Sequence, residues 1–260
     1  MTLEALIFDV DGTLADTEET HRQAFNYAFV RFDLNWEWSK TLYRELLRIS
    51  GGKERIAQFI KGLQVPRAEK ARLVRLVPAI HSVKTELYTE LIGDGRCPLR
   101  PGIARLLAEA HAGGLKLAIA STTTSANVHT LLARHSTPPF HTIACGDLVQ
   151  HKKPAPDIYD VVLATLGLSA EQCIAFEDSA NGVWAAKAAG LFTVVTPSQW
   201  TVGERFADAD LELSHLGDEH CPLPPEQAGR VGASRLGLEQ LRTLHANSFG
   251  QVVAFRRARP

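Results

Sequence analysis

The 260-residue chain is poor in cysteine, in net charge and in long apolar runs, and each shortage closes off a class of protein. Its four cysteines, Cys97, Cys145, Cys173 and Cys221, are scattered with no Cys-x-x-Cys pair, which argues against a disulfide framework and against a zinc site. A net charge of -1 gives no basic field for nucleic acid. No apolar run is long enough to span a bilayer, and the first residues enter an apolar strand without a basic region or signal core. No nucleic acid, no membrane partner and a cytoplasmic location are therefore expected. With 45% hydrophobic and 22% charged residues, the chain reads as an ordinary globular protein, long enough for two domains or one with an insertion.

What is present is concentrated at the start. Ala5-Leu6-Ile7-Phe8 is an apolar run that stops on Asp9-Val10-Asp11-Gly12-Thr13. A buried strand has no folding reason to end on two carboxylates, because unpaired charge there is costly. Asp9 and Asp11 lie two apart and so leave the strand on one side, with Gly12 free to turn beneath them. Such a pair suits Mg²⁺, and a carboxylate can also act as a nucleophile toward phosphorus. An Asx-turn would explain a lone Asp-x-Asp-Gly equally well, so the remainder of the chain has to decide.

Strand signals recur at Leu115–Ala120, Thr142–Cys145, Cys173–Phe176 and Phe192–Val195, separated by helical stretches over Pro101–His111, Ala126–Arg134, Pro156–Leu166 and Asn181–Ala189. The alternation predicts an α/β fold, a doubly wound parallel sheet with its site at the carboxyl ends of the strands. Residues 16–92 break the pattern. They carry only helical periodicity: a capping box at Asp16 with Glu19, then helices over Trp36–Ile49, Lys53–Leu63 and Arg67–Leu91, the last interrupted by Pro78. The expected organisation is a core of residues 1–15 and 93–214, an α-helical cap of residues 16–92 over the site, and a solvated, flexible extension of residues 215–260 ending in Arg256-Arg257-Ala258-Arg259.

The strand ends hold matching chemistry. The second closes on Ser121-Thr122-Thr123, the third is followed by His151-Lys152-Lys153-Pro154, and the fourth ends on Glu177-Asp178. Taken singly, these read as a cap, a solvated lysine pair and an acidic helix start. Taken together, a doubly wound sheet would collect a hydroxyl, a cation and a second carboxylate pair around Asp9.

In this order, Asp9-Val10-Asp11-Gly12-Thr13, Ser121, Lys153-Pro154 and Glu177-Asp178 resemble the four motifs of the haloacid dehalogenase-like phosphohydrolases, over residues 1–214. The helical insert resembles the cap of the β-phosphoglucomutase-like subgroup. The resemblance implies a Rossmann-like core and an aspartyl-phosphate mechanism. Asp9 would be the nucleophile and Asp11 the general acid and base. Mg²⁺ would be held by Asp9, the Asp11 carbonyl and Asp178, with Glu177 steering a water of the ion, and Ser121 and Lys153 would hold the phosphoryl oxygens. Lys152 competes with Lys153 for that role, though the Lys-Pro pattern favours Lys153, and Thr122 or Thr123 could share the work of Ser121.

The cap carries Glu18, His21, Tyr43, Arg44, Gly51, Gly52, Lys53, Arg55 and Lys84 as candidates for substrate contact. Tyr43–Leu47 with Ser50–Ile56 resembles the CbbY-type phosphatases, which take one phosphate from xylulose 1,5-bisphosphate, an inhibitor of rubisco. That likeness implies a small phosphorylated sugar as substrate, with Lys53 and Arg55 on the phosphate that is not cleaved. A monomer is expected, although no residue of the sequence specifies the oligomeric state. Two alternatives remain. A β-phosphoglucomutase would use the same motifs but return the phosphoryl group to a sugar, and a phosphatase for another phosphosugar or phosphoglycolate would differ only in the cap. A non-catalytic phosphosugar-binding protein is a more distant reading, since binding alone does not require both Asp9 and Asp11.

Overall fold

The computed structural model describes residues 2–93 and 97–257, with side chains through residue 248. Six parallel strands, β1 (Ala5–Phe8), β2 (Lys116–Ala120), β3 (Thr142–Ala144), β4 (Cys173–Glu177), β5 (Phe192–Val195) and β6 (Leu211–Glu212), lie in the order β3-β2-β1-β4-β5-β6. This is the doubly wound arrangement, and the strand order reverses beside β1, so the crevice at its carboxyl end is where a ligand site belongs. β6 was absent from the sequence reading because two residues carry no periodicity.

Both faces of the sheet are buried, so the strands are apolar throughout. Leu6, Phe8, Leu117, Ile119, Ile174 and Phe176 face one layer, and Ile7, Ala118 and Ala175 face the other. The first layer packs on α5 (Ile103–Ala112) and α6 (Ser125–Leu132), the second on α7 (Asp157–Leu166) and α8 (Ala180–Ala188).

Between β1 and α5 stand α1 (Glu18–Arg31), α2 (Lys40–Leu46), α3 (Gly52–Gly62) and α4 (Arg67–Gly93). They share an aromatic core in which Phe25, Phe29 and Tyr43 pack tilted or edge-on around Trp38, and Trp200, from the loop after β5, joins it edge-on to Tyr43 at 5.4 Å. Three local expectations change here. α1 begins at Glu18, not Asp16, and its N-cap Thr17 makes no side-chain cap bond, because the Thr17 hydroxyl is bonded to Asp11. α2 starts only after Ser39, whose hydroxyl accepts from the Leu42 N–H, since Trp38 is pinned to Asn26 and Arg22 in an extended segment. α4 runs unbroken through Pro78. Pro78 and Val74 are exposed, so the carbonyl freed by the missing N–H faces solvent.

The segment after His215 is also corrected. Far from being a solvated extension, it packs back onto the core: Leu216, Leu223 and Leu236 from its loops, Val231 from α9 (Pro225–Val231) and Leu241 from α10 (Leu238–Arg257) are buried in the layer beneath α5. Ala258 and Arg259 lie outside the described residues. Among the described residues, no helix is long and apolar enough to cross a membrane.

Candidate active site

At the end of β1 the Asp9 N–H donates to the Phe176 carbonyl, so the two central strands deliver Asp9 beside Glu177 and Asp178. Lys153 arrives from the loop before α7. Its buried ammonium donates to Asp9 Oδ1 at 2.7 Å, Glu177 Oε1 at 2.6 Å and the Ala120 carbonyl at 2.9 Å. All three donors are thus used. It is Lys153 that reaches Asp9, whereas Lys152 points to Glu54 of α3. The Tyr159 hydroxyl completes the Glu177 Oε1 shell at 2.5 Å, whereas buried Glu177 Oε2 has no hydrogen-bond partner.

One oxygen each from Asp9, Glu177 and Asp178 lies within 4.8 Å of the others. Three buried carboxylates against one lysine leave an excess of negative charge. Burial pushes Asp9 up to about 8, with Lys153 working against the shift and the Glu177 and Asp11 charges adding to it. Burial likewise drives Asp178 well above the carboxylate range, helped by Asp9 and Glu177. A hard divalent cation matches this oxygen-only set and would supply a partner for orphaned Glu177 Oε2. Two glycines keep the cluster compact. A Cβ on Gly12, at φ +84°, would run into the Asp178 carboxylate, and one on Gly182 would run into that of Glu177.

Asp11 turns away from this cluster toward the cap. Its Oδ1 accepts from the Thr17 hydroxyl at 2.5 Å and lies 2.9 Å from His21 Nε2, and His21 Nδ1 lies 2.5 Å from Lys84 Nζ. The His21 ring stacks on Tyr88 at 4.1 Å, and Lys84 sits 4.9 Å over both Phe25 and Tyr88. Burial opposes charge on Asp11, but His21, Thr17 and Lys84 outweigh it and hold the carboxyl down at about 2. Lys84, itself desolvated, is lowered to about 7.

The cap and core enclose a cavity of about 540 Å³. Of the expected residues, Asp9, Asp11, Glu18, His21, Gly51, Gly52, Lys53, Arg55, Lys84, Thr122, Thr123, Lys153 and Asp178 line it. Tyr43, Arg44, Ser121 and Glu177 do not. Tyr43 is fully buried behind the wall, donating to Glu18 Oε2 at 2.6 Å and accepting from Arg55 Nη1 at 2.9 Å. Exposed Arg44 reaches across to the Gln199 carbonyl. Ser121 is buried, and its Oγ accepts from the Thr123 N–H at 3.2 Å, which orients the turn whose Thr122 and Thr123 face the cavity.

Several contributors were missed. His81 lines the cavity beside Gly52, but a lone histidine mid-helix gave no signal beyond its helical spacing from Lys84. Arg100 clamps the Asp-containing turn by donating to the carbonyls of Gly12, Thr196, Pro197 and Ser214, a task read only from the tertiary fold.

A sheet whose carboxyl edge gathers an aspartate, a second acidic pair and a loop lysine under a helical cap fits a phosphatase. The family model for haloacid dehalogenase-like hydrolases matches residues 3–190, and the chain belongs to that family. It is 48% identical over 231 residues to the protein CbbY of Cupriavidus necator, covering 87% of this chain and 91% of the relative. The crystal structure of a CbbY variant from Rhodobacter sphaeroides in complex with xylulose 1,5-bisphosphate superposes with a TM-score of 0.77 at 45% identity, over 82% of this chain and 95% of that one. The β-phosphoglucomutase of Bacillus subtilis is more distant, 30% identical over 82% of this chain and 94% of its own length.

Proposed function

We propose that this phosphosugar phosphatase of the haloacid dehalogenase-like family removes one phosphate from xylulose 1,5-bisphosphate, and thereby protects rubisco from an inhibitor. The observation that carries the reading is that Asp9 and Arg55 open into one cavity: a phosphoryl-transfer centre from the core and a buried guanidinium from the cap. Arg55 uses Nε on the Leu46 carbonyl and Nη1 on Tyr43, which leaves the rest of its five donors for a second phosphate. The similarity to CbbY supports the sugar.

In the reaction, an Asp9 oxygen attacks phosphorus in line as the bond to the sugar oxygen breaks, and that oxygen takes a proton relayed through Asp11 from the His21–Lys84 row. Asp11 then takes a proton from the water that cleaves the aspartyl-phosphate, releasing phosphate and restoring Asp9. Lys153 holds Asp9 and sets its positive charge beside the transferring oxygens, aided by the turn whose Thr122 and Thr123 face the cavity. Asp9, the Asp11 carbonyl and Asp178, with Glu177 beside them, would hold Mg²⁺, which supplies positive charge opposite the phosphoryl oxygens. His21 and Lys84 orient Asp11 and hold a proton within reach of it. Glu18 contacts the sugar from the cap, and Lys53, Gly51 and Gly52 border the distal phosphate.

The residues that line the cavity come from one chain, which supports a monomer as the acting form. Four free cysteines suit a reducing cytoplasm. The test is phosphate release with Mg²⁺ from xylulose 1,5-bisphosphate, fructose 1,6-bisphosphate, phosphoglycolate and β-glucose 1-phosphate. Preference for the xylulose compound, lost in Asp9→Asn, is expected. Conversion of β-glucose 1-phosphate to glucose 6-phosphate with little free phosphate would make the protein a mutase.

A further inference from the structure

We infer that Lys152 and Glu54 form a latch between core and cap that sets the register of α3 over the phosphoryl site. The first turn of α3 carries alternating charge at Lys53, Glu54 and Arg55. Lys53 Nζ lies 3.9 Å from Asp147 Oδ1, Glu54 Oε1 lies 3.3 Å from Lys152 Nζ, and Arg55 turns inward to Tyr43 and the cavity. Asp147 and Lys152 both belong to the segment between β3 and α7, the one that ends by delivering Lys153 to Asp9. Cap and core thus meet in a matched order of signs, and a slip of one residue along α3 would set like charges opposite each other.

Two further observations fix the contact. A Cβ at Gly51, at φ +89°, would strike the Glu54 carboxylate and come within 2.7 Å of Lys152 Cδ, so the ion pair lies across bare backbone. From the other side, Asn181 donates through Nδ2 to the Arg48 carbonyl at 2.9 Å and Ser50 Oγ at 3.3 Å. The Lys152 side chain is only 17% exposed, so its charge is less screened than that of a surface lysine, although Glu54 is 45% exposed.

The consequence is a mechanical link. Adjacent residues of one loop grip different domains: Lys153 holds the nucleophile and Lys152 holds the helix that carries Arg55. Lys152 is therefore a positioning residue, which keeps Arg55 at a set distance from Asp9 when the cap is shut. The role rests on the reading that the enclosed cavity holds a phosphosugar gripped from both domains.

The test is a charge-reversal cycle, Lys152→Glu, Glu54→Lys and the double variant, assayed on xylulose 1,5-bisphosphate and, in parallel, on p-nitrophenyl phosphate. The aryl leaving group needs little protonation and no contact with Arg55. Each single reversal should lower kcat/KM for the bisphosphate by about fivefold, chiefly through KM, and the double should recover most of it. Lys152→Arg should keep wild-type behaviour, and aryl phosphate turnover should barely change in any variant. The milder set Lys152→Met and Glu54→Gln repeats the cycle without like-charge repulsion, should a reversal unfold the protein. Single variants equal to wild type would overturn the latch. A double variant no better than the singles would also overturn it, and would make Lys152 a direct substrate contact. If the wild type does not hydrolyse xylulose 1,5-bisphosphate, the substrate assignment fails by itself, and the same cycle on whichever phosphosugar is turned over still decides the latch.

Discussion

His21 Nε2 stands 2.9 Å from Asp11 Oδ1, which ties the proposed acid and base of the core to a residue of the first cap helix. Through its other nitrogen the same ring meets Lys84 of α4, so carboxylate, imidazole and ammonium form one buried row. Asp11 is oriented only when the cap is in place, and chemistry is thereby coupled to enclosure of the substrate.

Lys84→Met should therefore lower kcat by about tenfold to a hundredfold while leaving Mg²⁺ affinity nearly unchanged. Because Lys84 is held down at about 7, it loses its proton as pH rises through that value, and wild-type kcat should decline on the alkaline side. A pH–rate profile of the variant should be low and lack that limb. An unchanged alkaline limb in Lys84→Met would assign it to another group.

Gly182→Ala forces a methyl against Glu177, and Gly12→Ala forces one against Asp178. Each should weaken Mg²⁺ activation by about tenfold or more, read from the metal concentration giving half-maximal rate. Gly167→Ala is the control: it too has positive φ, at +66°, but nothing lies near its Cβ, so it should cost stability without shifting the metal dependence.

The metal-free protein should lose stability as pH rises. Asp9 has a folded value of about 8 against an ordinary 3.8, so between the two the folded form keeps a proton that the unfolded chain has released. Saturating Mg²⁺ should raise the melting temperature by about 5 °C or more at the alkaline end, with a gap that closes toward acid pH. Thermal melts in Mg²⁺ and in chelator measure it, and a gap independent of pH would contradict the assignment of the carboxylate cluster to a cation.

Removal of residues 215–260 should destabilise the protein by several kcal/mol, because it uncovers the layer where Leu216, Leu223, Leu236 and Leu241 are buried. Chemical denaturation of the truncated chain checks this, and an unchanged midpoint would contradict it.

Much of this architecture is legible in the sequence because parallel strands buried on both faces are short apolar runs, and because Asp9, Ser121 and Glu177-Asp178 each sit where such a run stops, with Lys153 on the loop that follows the third strand. What was not legible depends on contacts distant in sequence. Only the following Pro154 tells Lys153 from Lys152 locally; the tertiary path is what sends one to Asp9 and the other to Glu54. Tyr43 and Arg44 share a helix turn, yet burial makes the first a support for Glu18 and Arg55 and leaves the second on the surface. The segment after His215 lacks strong periodicity because its leucines fill gaps beneath α5 one at a time.

The most direct test of the proposed activity is kcat/KM for xylulose 1,5-bisphosphate against ribulose 1,5-bisphosphate, two bisphosphates that differ in the configuration of one hydroxyl, measured with the wild type and Arg55→Ala. A strong preference for the xylulose compound, with a loss in Arg55→Ala that falls mainly on KM, is the predicted result. Equal rates on both bisphosphates, or an Arg55→Ala variant as selective and as tight-binding as the wild type, would contradict the account.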